Sequence, residues 1–138
     1  MVEPEEALRP DVILDVVFED GLLFLSLANT GARPATNVTC RFDRPLHGLG
    51  GRVDVSRLRL FRAVGFLPAG KEIRTLVDES AAYFARREPT KLTVELTWRD
   101  EEGRRYERRI VHDLGIYKDL AYVPARGATL ARWPTTKD

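Results

Sequence analysis

The stretch from Lys91 to Arg109 constrains this chain more than any other, because its residues sort cleanly by parity. Leu92, Val94, Leu96 and Trp98 fall on one side of the alternation and Thr93, Glu95, Thr97 and Arg99 on the other. A pleated strand with one buried and one wet face produces that pattern; a helix would scatter it. Asp100-Glu101-Glu102-Gly103 follows, supplying a carboxylate for nearby backbone N–H groups and a glycine free to take positive φ. Tyr106 and Ile110 then resume a weaker alternation, so the two runs are expected to pair as an antiparallel hairpin.

An earlier segment repeats the logic. Val12, Leu14, Val16 and Phe18 alternate up to Glu19-Asp20-Gly21, and Leu23, Leu25 and Leu27 alternate beyond it. An Asp-Gly pair between two such runs predicts a second hairpin with a tight turn. Val17 and Phe24 occupy the opposite parity, so the outer face of this hairpin is expected to be partly apolar and to need a cover. Asn29 to Val38 reads as a loop entering a third strand, with Val38, Cys40 and Phe42 on one face and Thr39, Arg41 and Asp43 on the other.

Arg44 to Pro68 is irregular, and His47-Gly48-Leu49-Gly50-Gly51 is too glycine-rich for regular structure, which predicts a long loop. Val55, Leu58, Leu60 and Phe61 fit a short strand or turn beneath the sheets, and Lys71 to Val77 a strand after Pro68-Ala69-Gly70. Asp78 or Ser80 can cap a short helix over Glu79 to Arg87, ended by Pro89, of a length suited to cross between sheets.

A strand ending in Asn29-Thr30-Gly31, Pro34 shortly after, and Asn37-Val38 opening the next strand resembles the bacterial and archaeal Ig-like domains of the CARDB and NEW3 kind. Trp98-Arg99-Asp100-Glu101-Glu102-Gly103-Arg104-Arg105-Tyr106 is similar to their later hairpin, and Pro68-Ala69-Gly70 to the turn before their middle strand. The resemblance, over roughly residues 11–112, implies a seven-stranded sandwich with an adhesion-like or spacer role and brings no catalytic residues with it. The expected fold is therefore all-β, an Ig-like/fibronectin-III-like sandwich of two antiparallel sheets with one short crossover helix. It should span residues 11–123, after a flexible acidic lead-in at 1–10 and before a loose tail at 124–138. Leu114, Ile116, Tyr117, Leu120 and Tyr122 are apolar enough to pack back on the body.

With 43% apolar and 31% charged residues and a net charge of +1, the chain has no global attraction to nucleic acid or to an anionic membrane. Its charge is uneven: Met1 to Asp20 holds seven acids against Arg9 alone, and Arg104 to Arg109 four arginines against Glu107. One cysteine, Cys40, precludes an internal disulfide, so packing must hold the fold. The start carries no leader pattern and no run approaches a membrane span, so the chain reads as cytoplasmic, or exported if a leader has been removed.

No chemical constellation emerges. His47 and His112 fall on different elements without ligand spacing, so neither a metal nor a cofactor is expected. His47-Gly48-Leu49-Gly50-Gly51-Arg52 lacks the lysine-hydroxyl pair of a phosphate loop and reads as an Ω-like loop. Ser26, Ser56 and Ser80 have no nucleophile elbow, Asn37-Val38-Thr39 is a bare three-residue sequon, and Cys40 shares parity with core residues. Arg104, Arg105, Arg108 and Arg109 split between two faces with glutamates in reach, which favours a cross-paired surface over a nucleic-acid site.

The chain is thus expected to be a non-catalytic interaction or structural module. It would bind another protein, or itself, through an edge strand or an apolar outer face, with Phe24, Phe61, Phe66 and Trp133 as contact residues. The alternative is a ligand-binding or enzyme-accessory domain such as a carbohydrate-binding module, which requires aromatic rings exposed in a row. No small-molecule substrate is indicated.

Overall fold

The computed structural model describes residues 8–120. Seven strands form the two facing sheets of a sandwich. One sheet holds β1 (Val12–Glu19), β2 (Leu22–Asn29) and β7 (Glu72–Glu79), in the order β1-β2-β7. The other holds β3 (Ala35–Phe42), β6 (Val64–Leu67), β8 (Lys91–Arg99) and β9 (Arg105–Asp113), in the order β6-β3-β8-β9. Every neighbouring pair is antiparallel, as expected of an all-β sandwich. A ribbon of β4 (His47–Gly48) and β5 (Val53–Asp54) lies beside them.

Both hairpins form where the alternation placed them. β1 and β2 pair from Val12↔Asn29 to Glu19↔Leu22, leaving Asp20 and Gly21 as a two-residue turn with φ of 54° and 79°. Two consecutive positive φ values match the right-handed twist of the flanking strands, which is why Asp-Gly suits the position. β8 and β9 pair from Lys91↔Asp113 to Arg99↔Arg105. In their turn the Asp100 carboxylate accepts from the N–H groups of Glu102 and Arg104, both at 2.9 Å, and from the Tyr106 hydroxyl at 3.1 Å.

The core is built from the inward parities: Val12, Leu14 and Val16; Leu23, Leu25 and Leu27; Leu92, Val94, Leu96 and Trp98. β3 joins them with a correction to the expected loop, since it begins at Ala35 rather than Val38. Its register slips between Thr36↔Arg99 and Thr39↔Thr97, and Asn37 sits at φ 51°. That extra residue is a bulge, and it lets Ala35 and Val38 both bury despite their odd spacing.

Among the described residues two α-helices are present instead of one. The expected crossover is α2 (Ser80–Ala85), which carries the chain from β7 in one sheet to β8 in the other and seats Tyr83 fully in the core; α1 (Arg59–Arg62) precedes β6. Neither Asp78 nor Ser80 caps α2: its cap residue is Glu79, without a side-chain bond. The Asp78 carboxylate serves the loop instead, accepting from Gly50 N–H at 3.0 Å and from Arg86 Nη1 at 2.8 Å. Arg86 also bonds Glu88 and the His47 carbonyl, so the glycine-rich stretch is pinned between α2 and β7. A Cβ on Gly48 would stand 2.0 Å from the Val77 carbonyl oxygen. Its glycine thus marks close approach of two backbones, not a free loop.

Asn29 explains its own turn. Its Oδ1 accepts from Asp11 and Gly31 N–H, and its Nδ2 donates to the carbonyls of Arg33 and Leu67, at 2.8 to 3.1 Å. A buried amide with every group paired is a rigid joint. Gly31 is required because a Cβ there would meet the Arg9 carbonyl at 2.2 Å, and Ala32 N–H bonds the same oxygen. Order therefore starts ahead of Asp11, and Pro10 is buried. The rest of the acidic lead-in and the tail from residue 121 lie outside the described residues, as does the expected boundary at Val123.

Candidate functional site

The two outer faces of the sandwich differ in chemistry. On the four-stranded sheet, Thr39 and Thr97 share a hydrogen bond at 2.6 Å, Arg41 pairs with Glu95, and Arg105 pairs with Glu107 at 3.1 Å. Arg109 stands directly opposite Glu95. This is the cross-paired face anticipated from the arginine run, worth little individually because water solvates each charge.

The three-stranded sheet presents an apolar row instead. Val17 lies in register with Phe24, and Phe24 with Leu76. Val17 and Phe24 are half-buried and Leu76 is 37% exposed. Arg74 spans the row with its Cζ 5.7 Å from the Phe24 ring centre, and is held there by Glu19 at 2.8 Å and Glu72 at 3.0 Å. Hydrogen bonds from Ser26 and then Arg74 hold the Glu72 carboxyl below its ordinary pKa. Leu22, on the same strand face as Phe24, leads from this row into a groove of about 770 Å³ at the end of the sandwich. Phe18, Leu22, Ala81, Phe84 and Leu120 supply its apolar lining, and Asp20, Glu79 and Lys118 its charged rim.

The expected contact residues are thereby dispersed. Phe24 lies on the apolar row, while Phe66 is 56% exposed on β6 of the other sheet. Phe61 is a correction: α1 turns it under β3, where it is fully buried with its ring edge-on to Phe42 at 5.2 Å. A side chain spent on the core presents nothing to a partner. Trp133 lies outside the described residues. Cys40 is half-buried and packs against the core, where burial pushes its thiol up to about 12.

Sequence reading weighed His112 only as a metal candidate and Arg108 only as part of a cross-paired surface, and missed their role at the β1 edge. They share the inward parity of Tyr106 and Ile110, the one signal that could have singled them out. Arg108 donates to the Val12 carbonyl at 3.3 Å and pairs with Asp11 at 2.6 Å. His112 Nε2 donates to the Leu14 carbonyl at 2.8 Å, and the Tyr117 hydroxyl, from the 3-10 turn Leu114–Tyr117, to Val16 at 3.0 Å. Alternate carbonyls of the β1 edge are therefore occupied by side chains.

A family model described as "Domain of unknown function (DUF8453)" matches residues 2–118. The chain belongs to this family. The DUF8453 match takes in both sheets, α2 and the Tyr117 turn, and stops before Leu120 at the groove. No curated protein matches the chain. No solved structure matches it either. Among the described residues of this DUF8453 domain, no helix is long and apolar enough to cross a membrane.

Proposed function

We propose that the chain is a non-catalytic interaction module that binds another protein through the three-stranded sheet's outer face and the groove beside it. The observation that carries this reading is the contrast between the two outer faces. An open antiparallel sheet normally turns polar residues to water, as the four-stranded sheet does along most of its outer face, where Val111 on β9 and Phe66 on β6 are exposed apolar residues on opposite edge strands. The Val17–Phe24–Leu76 row and the apolar groove depart from that rule side by side, and contiguous exposed apolar surface is the usual mark of a protein contact. The charged rim suits such a role, since rim charges set orientation while apolar groups supply affinity.

The likeness to CARDB- and NEW3-like domains belongs to the same proposal, supported by the Asn29-Thr30-Gly31 joint that ties three chain segments together. Carbohydrate binding is the weaker reading. It calls for a row of open rings, and Phe66 is the single exposed aromatic among the described residues.

Leu76→Lys and Ala81→Arg each bring a charge to an exposed position, one on the row and one at the groove. In quantitative capture of proteins from the source cell, both variants should lose the partners retained by the wild type while melting at the same temperature. Equal retention by all three proteins, or binding to a glycan array with no protein captured, would overturn the reading.

A further inference from the structure

The apolar groove at the end of the sandwich and the Val17–Phe24–Leu76 row meet at Leu22, and both sit in acidic surroundings. Asp15, Glu19, Glu72 and Glu79 are exposed on the outer face of the three-stranded sheet with the row, and Asp20 stands at the groove's rim. Among the described residues the cations set against them are Arg74, which Glu19 and Glu72 already hold, and Lys118 at the rim. An occupant of this surface therefore needs apolar side chains and positive charge together.

The chain carries such a segment to the place. Leu120, the last described residue, is 51% exposed and lines the groove, so Ala121-Tyr122-Val123 follow from its mouth. Residues 121–133 hold Tyr122, Val123, Leu130 and Trp133 together with Arg126 and Arg132, and no acid. Extended chain gains about 3.3 Å per residue, so this stretch reaches about 40 Å, whereas the row is two strand spacings, about 10 Å, across. The other chain end fits on neither count. Leu8 lies against the Asp100–Tyr106 turn at the opposite end of β1 from the groove, and Glu3, Glu5 and Glu6 ahead of it are acids.

We infer that the segment from Ala121 to Trp133 lies across the groove and the apolar row of its own chain, with Tyr122 and Val123 against the groove and Arg126 and Arg132 among the carboxylates. As a gate, the contact rests on the reading of this surface as a protein-binding site: a partner must displace the segment to bind. A tethered segment acts at an effective concentration in the millimolar range. With an intrinsic Kd of about 100 μM it fills the surface roughly nine-tenths of the time and weakens a competitor about tenfold.

Tyr122→Asp with Val123→Asp in the full chain sets carboxylates among carboxylates and should free the surface. A synthetic peptide of residues 120–134 is the probe. In calorimetric titration it should bind this variant with a Kd on the order of 100 μM, and the wild type about tenfold more weakly, because the wild-type segment competes with it. Raising salt from about 50 to about 500 mM should weaken binding to the variant several-fold. Ala81→Arg, added to the variant at the groove, should abolish it. The titration holds no other protein and so decides the contact alone, whereas loss of captured proteins by Leu76→Lys judges the partner reading. In that capture the freed variant should retain its partners at about one tenth the protein concentration the wild type needs. No such gain, with wild-type capture intact, overturns the gate. Equal peptide affinity for both proteins, no binding to the variant, or a variant that takes up a second copy of itself in place of the peptide overturns the contact.

Discussion

The hydroxyl of Tyr117 donates to the carbonyl oxygen of Val16 at 3.0 Å, while its ring stacks on Phe18 at 5.9 Å. A residue beyond the last strand thus completes the edge of the first. β1 would otherwise present a row of open carbonyls, a template for pairing with other chains. Arg108 and His112 supply the two preceding contacts, so the closure is continuous from Val12 to Val16.

Tyr117→Phe removes the hydrogen bond and keeps the ring, and should cost about 0.5–1.5 kcal/mol in a urea melt. Truncation after Gly115 removes the ring as well, and should lower stability further and promote self-association through the bared edge. A truncated chain that stays monomeric with an unchanged melting temperature would show that the edge does not need this cover.

Leu96 is fully buried opposite Cys40, whereas Glu95 faces outward and pairs with an exposed Arg41. Leu96→Ala should cost about 2–5 kcal/mol, and Glu95→Ala should stay within about 0.5 kcal/mol. Comparable losses in denaturant melts would contradict the face assignment.

Acid should loosen the pinned loop. Burial alone would raise the Asp78 carboxyl, but Gly50 N–H, Arg86 and Glu79 N–H outweigh it and hold the group below its ordinary value. A carboxyl depressed in the folded state stabilises fully above its unfolded pKa, about 3.9, and that stability is lost as pH falls through the lower folded value. Asp78→Asn should therefore be less stable than the wild type at pH 7, with the gap narrowing below pH about 4. A gap independent of pH, measured by urea melts across that range, would exclude the linkage.

Cys40 should label slowly. With its thiol pushed to about 12 by burial, the reactive thiolate is scarce at pH 8. Native protein should react with a thiol reagent far more slowly than protein unfolded in urea. Equal rates would mean that the β3 face is open to solvent.

What the sequence determined by itself is whatever depends on near neighbours along the chain. Period-2 burial from Leu92 to Trp98, the Asp20-Gly21 turn and the Asp100 turn are all local, because parity and φ preference act within a few residues. The crossover helix was legible for the same reason. Where two distant segments meet, the chain alone was silent. Phe61 fitted both a turn beneath the sheets and a partner contact until α1 folded it against Phe42. The glycines after His47 looked loose until β7 came within contact of Gly48. Arg108 and His112 looked solvated until β1 was placed across the sandwich from β9. Each of those outcomes joins residues about 20 to 100 positions apart, and only the packing of helix, loop and second sheet onto the strands decides which groups meet.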